Sequence, residues 1–104
     1  MREITCQELQ KRIHQVRIVD VRTPEEYTGE LGHIAQAELV PLGPALIDFL
    51  KSQPLNEEIV FVCRSGARSG QTTLLSEEMG FTRTFNMIGG MLKWNELKFA
   101  TEGT

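Results

Sequence analysis

The sequence predicts an α/β fold built on a mostly parallel sheet, and three observations carry that expectation. Ile59-Val60-Phe61-Val62 is an unbroken apolar run, which suits a strand buried on both faces. Helix-like segments alternate with about five short strand-like ones, the order that a parallel sheet with crossover helices requires. Between the apolar run and the next helix lies Cys63-Arg64-Ser65-Gly66-Ala67-Arg68-Ser69, a polar turn at the carboxyl edge where open α/β sheets bind ligands.

The elements follow in order. Glu3-Ile4 reads as a short edge strand. Thr5-Cys6-Gln7-Glu8 fits a capping box, with the threonine capping and the glutamate reaching back, so a helix is expected from Cys6 to His14. Arg17-Ile18-Val19-Asp20-Val21 is a short strand. Thr23-Pro24-Glu25-Glu26 is a second cap with proline at the first helical position, which opens a short helix through Tyr27. Gly29 and Gly32 end it. Glu38-Leu39-Val40-Pro41 reads as a strand, and Ala45–Lys51 as a helix that Pro54 breaks. Ile59–Val62 is the central strand. A helix over Arg68–Met79 stops at Gly80, a left-handed C-cap. Thr84–Met87 is the last strand, and Gly89-Gly90 leads into a helix carrying Leu92, Trp94 and Leu97.

Size and composition narrow the function. The 104 residues suffice for one domain, 1–104, with its own core. A net charge of −3 gives no reason to expect nucleic acid or an anionic membrane surface as partner. No apolar run approaches the ~18 residues of a membrane span. The start, Met1-Arg2-Glu3-Ile4-Thr5, carries an acid early and lacks the apolar stretch of a secretory signal. Cys6 and Cys63 are too few for a disulfide framework and too far apart for a Cys-x-x-Cys pair, so the expected compartment is a reducing cytoplasm.

The Cys63 turn carries the chemistry. A free thiol with a pKa near ~8.5 is only about 3% thiolate at pH 7. Lowering that pKa by two units takes about 2.7 kcal/mol of preferential stabilisation of the anion. A helix N-terminus supplies roughly 0.3–2 kcal/mol, and convergent amides in the turn add hydrogen bonds to the sulfur. Arg64 and Arg68 bring charge that does not titrate away, Gly66 permits a tight backbone, and Ser65 and Ser69 offer hydroxyl donors. Cys63 is therefore the expected nucleophile. Cys6, in a first helical turn without basic neighbours in sequence, reads as an inert small apolar residue.

Four segments together resemble the rhodanese family of single-domain sulfurtransferases. Cys63-Arg64-Ser65-Gly66-Ala67-Arg68-Ser69 is similar to the family's Cys-Arg-x-Gly-x-Arg-Ser loop. Asp20-Val21-Arg22-Thr23-Pro24-Glu25-Glu26-Tyr27 is similar to its Asp-x-Arg…Glu-Tyr block, Gly32-His33-Ile34 to its Gly-His-Ile element, and Gly89-Gly90-Met91-Leu92-Lys93-Trp94 to its closing Gly-Gly…Trp segment. The likeness runs from about Ile4 to Leu97, with one departure: Ala35-Gln36-Ala37 stands where the family usually has Pro-Gly-Ala, which leaves the shape of that loop open. The resemblance implies three α/β/α layers around a five-stranded, mostly parallel sheet. It implies that Cys63 attacks the outer sulfur of a small donor such as thiosulfate and holds it as a persulfide. Cyanide, a cellular thiol or a protein thiol then accepts the sulfur. Arg64, Ser65, Gly66, Ala67, Arg68 and Ser69 would bind the substrate. The amides of Arg64 to Arg68 would cradle the persulfide, and the arginines would attract an anionic donor. Neither a metal nor an organic cofactor is implied.

The remaining polar residues are expected in supporting roles. Asp20 and Arg22 suggest a buried ion pair that fixes the adjoining loop. His33 suggests a structural group in a connection, His14 an inert residue at a helix end, and Trp94 a core or pocket wall. Gly89 and Gly90 suggest a close approach of chain to chain. Glu57-Glu58 and Glu77-Glu78 read as solvated surface. Gly66-x-x-x-Gly70 is not a nucleotide loop, because no Lys-Ser/Thr follows. Other functions stay open: a noncatalytic module of the same family, a carrier that hands persulfide to a protein, a redox sensor, and a cysteine phosphatase or arsenate reductase. Against the phosphatase stands the spacing, since phosphatase-like loops are Cys-x5-Arg and Cys63 to Arg68 is Cys-x4-Arg.

Overall fold

In the computed structural model, which describes residues 1–103, strands and helices alternate along the chain. They are β1 (Glu3–Ile4), α1 (Cys6–Lys11), β2 (Arg17–Asp20), α2 (Pro24–Tyr27), β3 (Ala37–Leu39), α3 (Pro44–Lys51), β4 (Ile59–Val62), α4 (Ala67–Glu78), β5 (Thr84–Met87) and α5 (Gly90–Glu96). The sheet order is β1-β5-β4-β2-β3, and every pairing is parallel. All strands therefore end at one edge, and the segment after β4 lies at its middle.

The apolar run explains the position of β4. Its four residues have no exposed surface, as expected of a strand covered on both faces. Val60 and Val62 pack with Ile4, Leu9, Ile18, Met87, Met91 and Trp94, beneath α1 and α5. Ile59 and Phe61 face the other way, onto Val19, Leu46, Leu50 and Phe81, with Leu75 of α4 and Met79 at its C-cap alongside. Period-two alternation along one strand thus divides the core into two, giving the three layers. The buried face of α4 is made of Ser69, Gly70, Thr72, Thr73 and Ser76. Those small residues let α4 lie close to β5. Their hydroxyls are satisfied locally: Thr72 and Thr73 donate to the carbonyls of Arg68 and Ser69, and Ser76 meets the Thr84 hydroxyl at 2.6 Å.

Both capping boxes form, Thr5 with Glu8 and Thr23 with Glu26. Several expected boundaries shift. α1 stops at Lys11 rather than His14, because the Arg12 N–H turns back to the Leu9 carbonyl and the Arg12 side chain leaves to pair with Glu58. β3 starts at Ala37 and ends before Pro41, which has no N–H to continue a ladder. α4 starts at Ala67, since Gly66 at φ 104° is its cap. The acidic pairs are not all solvated surface as the sequence suggested. Glu58 is half-buried between Arg12 (2.7 Å) and Arg83 (3.3 Å), and Glu77 accepts the Arg2 backbone N–H at 3.0 Å and lies 3.8 Å from the terminal amine and from the Arg2 guanidinium.

The Asp20–Arg22 pair is fully buried. Arg22 Nε and Nη2 donate to the two carboxylate oxygens at 3.0 and 2.8 Å. Its remaining donors reach the carbonyls of Glu26 (3.2 Å) and Gly32 (2.7 Å), which ties the whole 20–32 segment to the end of β2. His33 lies in a connection, as expected: it stacks on Tyr27, its Nδ1 donates to the Tyr27 carbonyl at 2.8 Å, and its backbone bridges Glu102. Trp94 is buried and donates to the Ala100 carbonyl.

Candidate active site

β4 delivers Cys63 to the middle of the carboxyl edge, with 1% of its surface exposed. The turn that follows is shaped from behind. The first amides of α5 take the loop's carbonyls, Met91 N–H to Cys63 at 2.9 Å and Leu92 N–H to Arg64 at 3.0 Å. With those carbonyls engaged on the α5 side, the next amides turn toward the sulfur. Gly90 makes this approach possible, since at φ 59° a Cβ would overlap the carbonyls of Cys63 and Arg64. The close approach expected of Gly89-Gly90 is thus with the cysteine loop itself.

The Cys63 sulfur accepts the Gly66 N–H at 3.1 Å and the Ser69 hydroxyl at 3.2 Å. Burial by itself pushes the thiol pKa up, but the Ser69 hydroxyl and the amides of Ser69, Gly66 and Ser65 outweigh it and hold the thiol below its ordinary range. Hydrogen bonds are the main stabilisation of the anion, and the charge of Arg68 lies within reach of the sulfur. Around Sγ itself the contacts come from Ser65, Gly66 and Ser69.

The two arginines part company. Arg64 is exposed and forms no ion pair among the described residues. Arg68 grips Glu26 of α2 through both guanidinium ends, at 2.6 and 2.8 Å. Both arginines were expected to attract an anionic donor; the Arg68 fork faces a carboxylate, whereas Arg64 faces none among the described residues. Ala67 opens α4 and, like Ser65, is exposed at the loop rim. A cavity of about 130 Å³ beside the loop is lined by Arg22, Glu26, Gly29, Glu30, Leu31 and Arg64. A larger one, about 270 Å³, lies between α1, α5 and residues 100–102 and touches none of the loop residues.

Cys6 is buried on the opposite side of the sheet, 3.6 Å from the Ile88 carbonyl. Burial pushes its pKa up despite nearby Lys93, so it stays a thiol, in keeping with its inert reading. Two polar residues of the site were not singled out for it from the sequence. Asn86 of β5 donates from Nδ2 to the Gly66 carbonyl at 3.2 Å and accepts the Ser69 hydroxyl at 2.5 Å. Glu26 was visible as a capping residue, but its second role as partner of Arg68 was not. A polar residue inside an otherwise buried strand was the available signal for Asn86. Among the described residues, no cluster of three or more His, Cys, Asp or Glu is placed to hold a metal, and no helix is long and apolar enough to cross a membrane.

Residues 5–97 match the family model described as the rhodanese-like domain. A sulfurtransferase of Allochromatium vinosum is 35% identical over 96 residues, covering 88% of this chain and 86% of that protein. The crystal structure of a rhodanese-like domain protein from Staphylococcus aureus superposes with TM-score 0.80 at 36% identity, covering 99% of this chain and 95% of that one. A rhodanese-related protein from Thermoplasma volcanium superposes with TM-score 0.86 over the full length of both chains, and at 23% identity that likeness speaks to fold.

Proposed function

The chain belongs to the rhodanese-like domain family, and from that premise we propose that it is a sulfurtransferase acting through a persulfide on Cys63. Sulfur transfer in general is supported by the family and by the relative's name. The observation that carries the finer reading is the convergence of the Gly66 amide and the Ser69 hydroxyl on one sulfur, at 3.1 and 3.2 Å.

The proposed cycle has two halves. The Cys63 thiolate attacks the outer sulfur of thiosulfate. A Cys63–S bond forms, the sulfur–sulfonate bond breaks, and sulfite leaves with the electron pair. The product is a Cys63 persulfide anion, so charge and sulfur balance. A thiolate or cyanide then attacks the terminal sulfur, and Cys63 leaves as thiolate. Ser65, Gly66, Ala67 and Ser69 form the cradle and its rim. Arg64, with its charge uncommitted, meets the anionic donor and the departing sulfite. Arg68 holds the loop's helix to α2. No metal or organic cofactor enters the cycle, residues 1–104 act as one domain, and a reducing, cytoplasmic setting keeps both thiols free.

Phosphate chemistry is disfavoured by the same geometry. A tetrahedral phosphoryl group needs a longer loop and a free guanidinium, whereas the Arg68 guanidinium is held by Glu26. Incubation with thiosulfate and cyanide, in parallel with an aryl phosphate, tests the reading. Thiocyanate formation without phosphate release is expected; phosphate release without thiocyanate overturns it.

A further inference from the structure

Asn86 is 5% exposed and reaches from β5 to the cysteine loop. Its orientation is set by chemistry. The Gly66 carbonyl can only accept, so Nδ2 faces it at 3.2 Å and Oδ1 faces the Ser69 oxygen at 2.5 Å. The Ser69 hydroxyl therefore stands between two acceptors, Asn86 Oδ1 at 2.5 Å and Cys63 Sγ at 3.2 Å, with one proton to give. While Cys63 is a thiol, its S–H donates to the Ser69 oxygen and the hydroxyl donates to Oδ1, so every group is satisfied. When the sulfur is a thiolate, the hydroxyl turns to it, and Oδ1 is left facing lone pairs in a buried place. In a persulfide the charge sits on the outer sulfur. Sγ then asks less of the hydroxyl, which turns back to Oδ1. The hydroxyl keeps its proton throughout; its direction changes.

We propose that Asn86 is a positioning residue that acts on Cys63 through Ser69, accepting the hydroxyl's hydrogen bond whenever Sγ carries no charge and so tilting the site from bare thiolate toward the loaded persulfide. The consequence for loading rests on the sulfur-transfer reading; the hydroxyl switch itself rests on the geometry. The charged groups around the sulfur are Arg64 in the loop, Arg68 of α4 with Glu26 of α2, and Asp20 at the end of β2 with Arg22 just beyond it. All of them stay in place in the test.

The test is the pH profile of Cys63 alkylation by iodoacetamide, read on the Cys63 peptide by mass spectrometry so that Cys6 does not interfere. It compares the wild type, Asn86→Leu, Ser69→Ala and the double variant. Asn86→Leu is expected to lower the midpoint by about half to one pH unit, the worth of one neutral hydrogen bond. The same change in the Ser69→Ala background is expected to leave the midpoint where it is. An unchanged or raised midpoint in Asn86→Leu, or an equal shift with and without Ser69, overturns the proposal. Should Asn86→Leu fail to fold, Asn86→Asp decides. It keeps the acceptor and adds charge, so the midpoint rises, and rises less once Ser69 is alanine; equal rises overturn the proposal. Alkylation needs no sulfur donor, so this result stands apart from whether the wild type gains sulfur.

Discussion

Arg68 of α4 and Glu26 of α2 form a two-pronged ion pair, 2.6 and 2.8 Å, that fastens the helix behind the cysteine loop to the segment after β2. The Arg68 guanidinium beside Glu26 is the main reason that its carboxyl drops from 4.5 to about 2. A carboxyl lowered on folding stabilises the native state while ionised. The stabilisation is therefore complete above the ordinary carboxylate range and is lost as pH falls toward about 2. The pair is partly solvated, so its worth is about 1 kcal/mol. Glu26→Gln is expected to lose that amount at pH 7, and urea melts of variant and wild type should converge as the pH approaches about 2. A constant gap across that range would show that the pair contributes no charge-dependent stability.

With Arg68 paired to Glu26, the proposed cycle assigns the donor to Arg64. Arg64→Ala is expected to raise the thiosulfate KM roughly tenfold, the value of one solvent-facing charge-assisted contact. Uncharged donors should be affected far less. Steady-state kinetics with both donor types checks this, and equal losses would remove Arg64 from donor recognition.

The Asp20–Arg22 pair has 0% and 1% exposure, so removing one partner strands a buried charge. Asp20→Ala is expected to cost about 3–5 kcal/mol. In a chain of this length the melting temperature should drop by more than ten degrees, at roughly 4–8 °C per kcal/mol. A loss below about 1 kcal/mol would mean that water reaches Arg22 readily.

Gly90 and Gly43 both have positive φ, 59° and 125°, but only Gly90 lies against the backbone of Cys63 and Arg64. Both alanine variants carry backbone strain of roughly 1–3 kcal/mol. Gly90→Ala must also push the cysteine loop away from α5. It is expected to unfold at lower urea than Gly43→Ala and to slow Cys63 alkylation at neutral pH, whereas Gly43→Ala leaves alkylation unchanged. Similar alkylation rates in the two variants would show that the loop does not depend on its approach to α5.

The parts legible in the sequence are those fixed by neighbours in the chain. The β4 run, both capping boxes and the turn after Cys63 depend on residues a few positions apart, and all form. What escaped was set by tertiary geometry. The partner of Arg68 was not visible because Glu26 lies 42 positions away, and Asn86 looked like an ordinary strand residue because Ser69 is 17 away. Glu58 and Glu77 looked solvated because their arginine partners come from distant elements. The early end of α1 has the same origin, since local periodicity does not register the pull of Glu58 on Arg12.

The most direct measurement is the intact mass of the protein after brief exposure to thiosulfate. The account predicts a gain of one sulfur atom on Cys63, lost on adding cyanide or a thiol and absent in Cys63→Ser. A wild type that gains no mass from any sulfane donor, or a Cys63→Ser variant that gains the same, would contradict it.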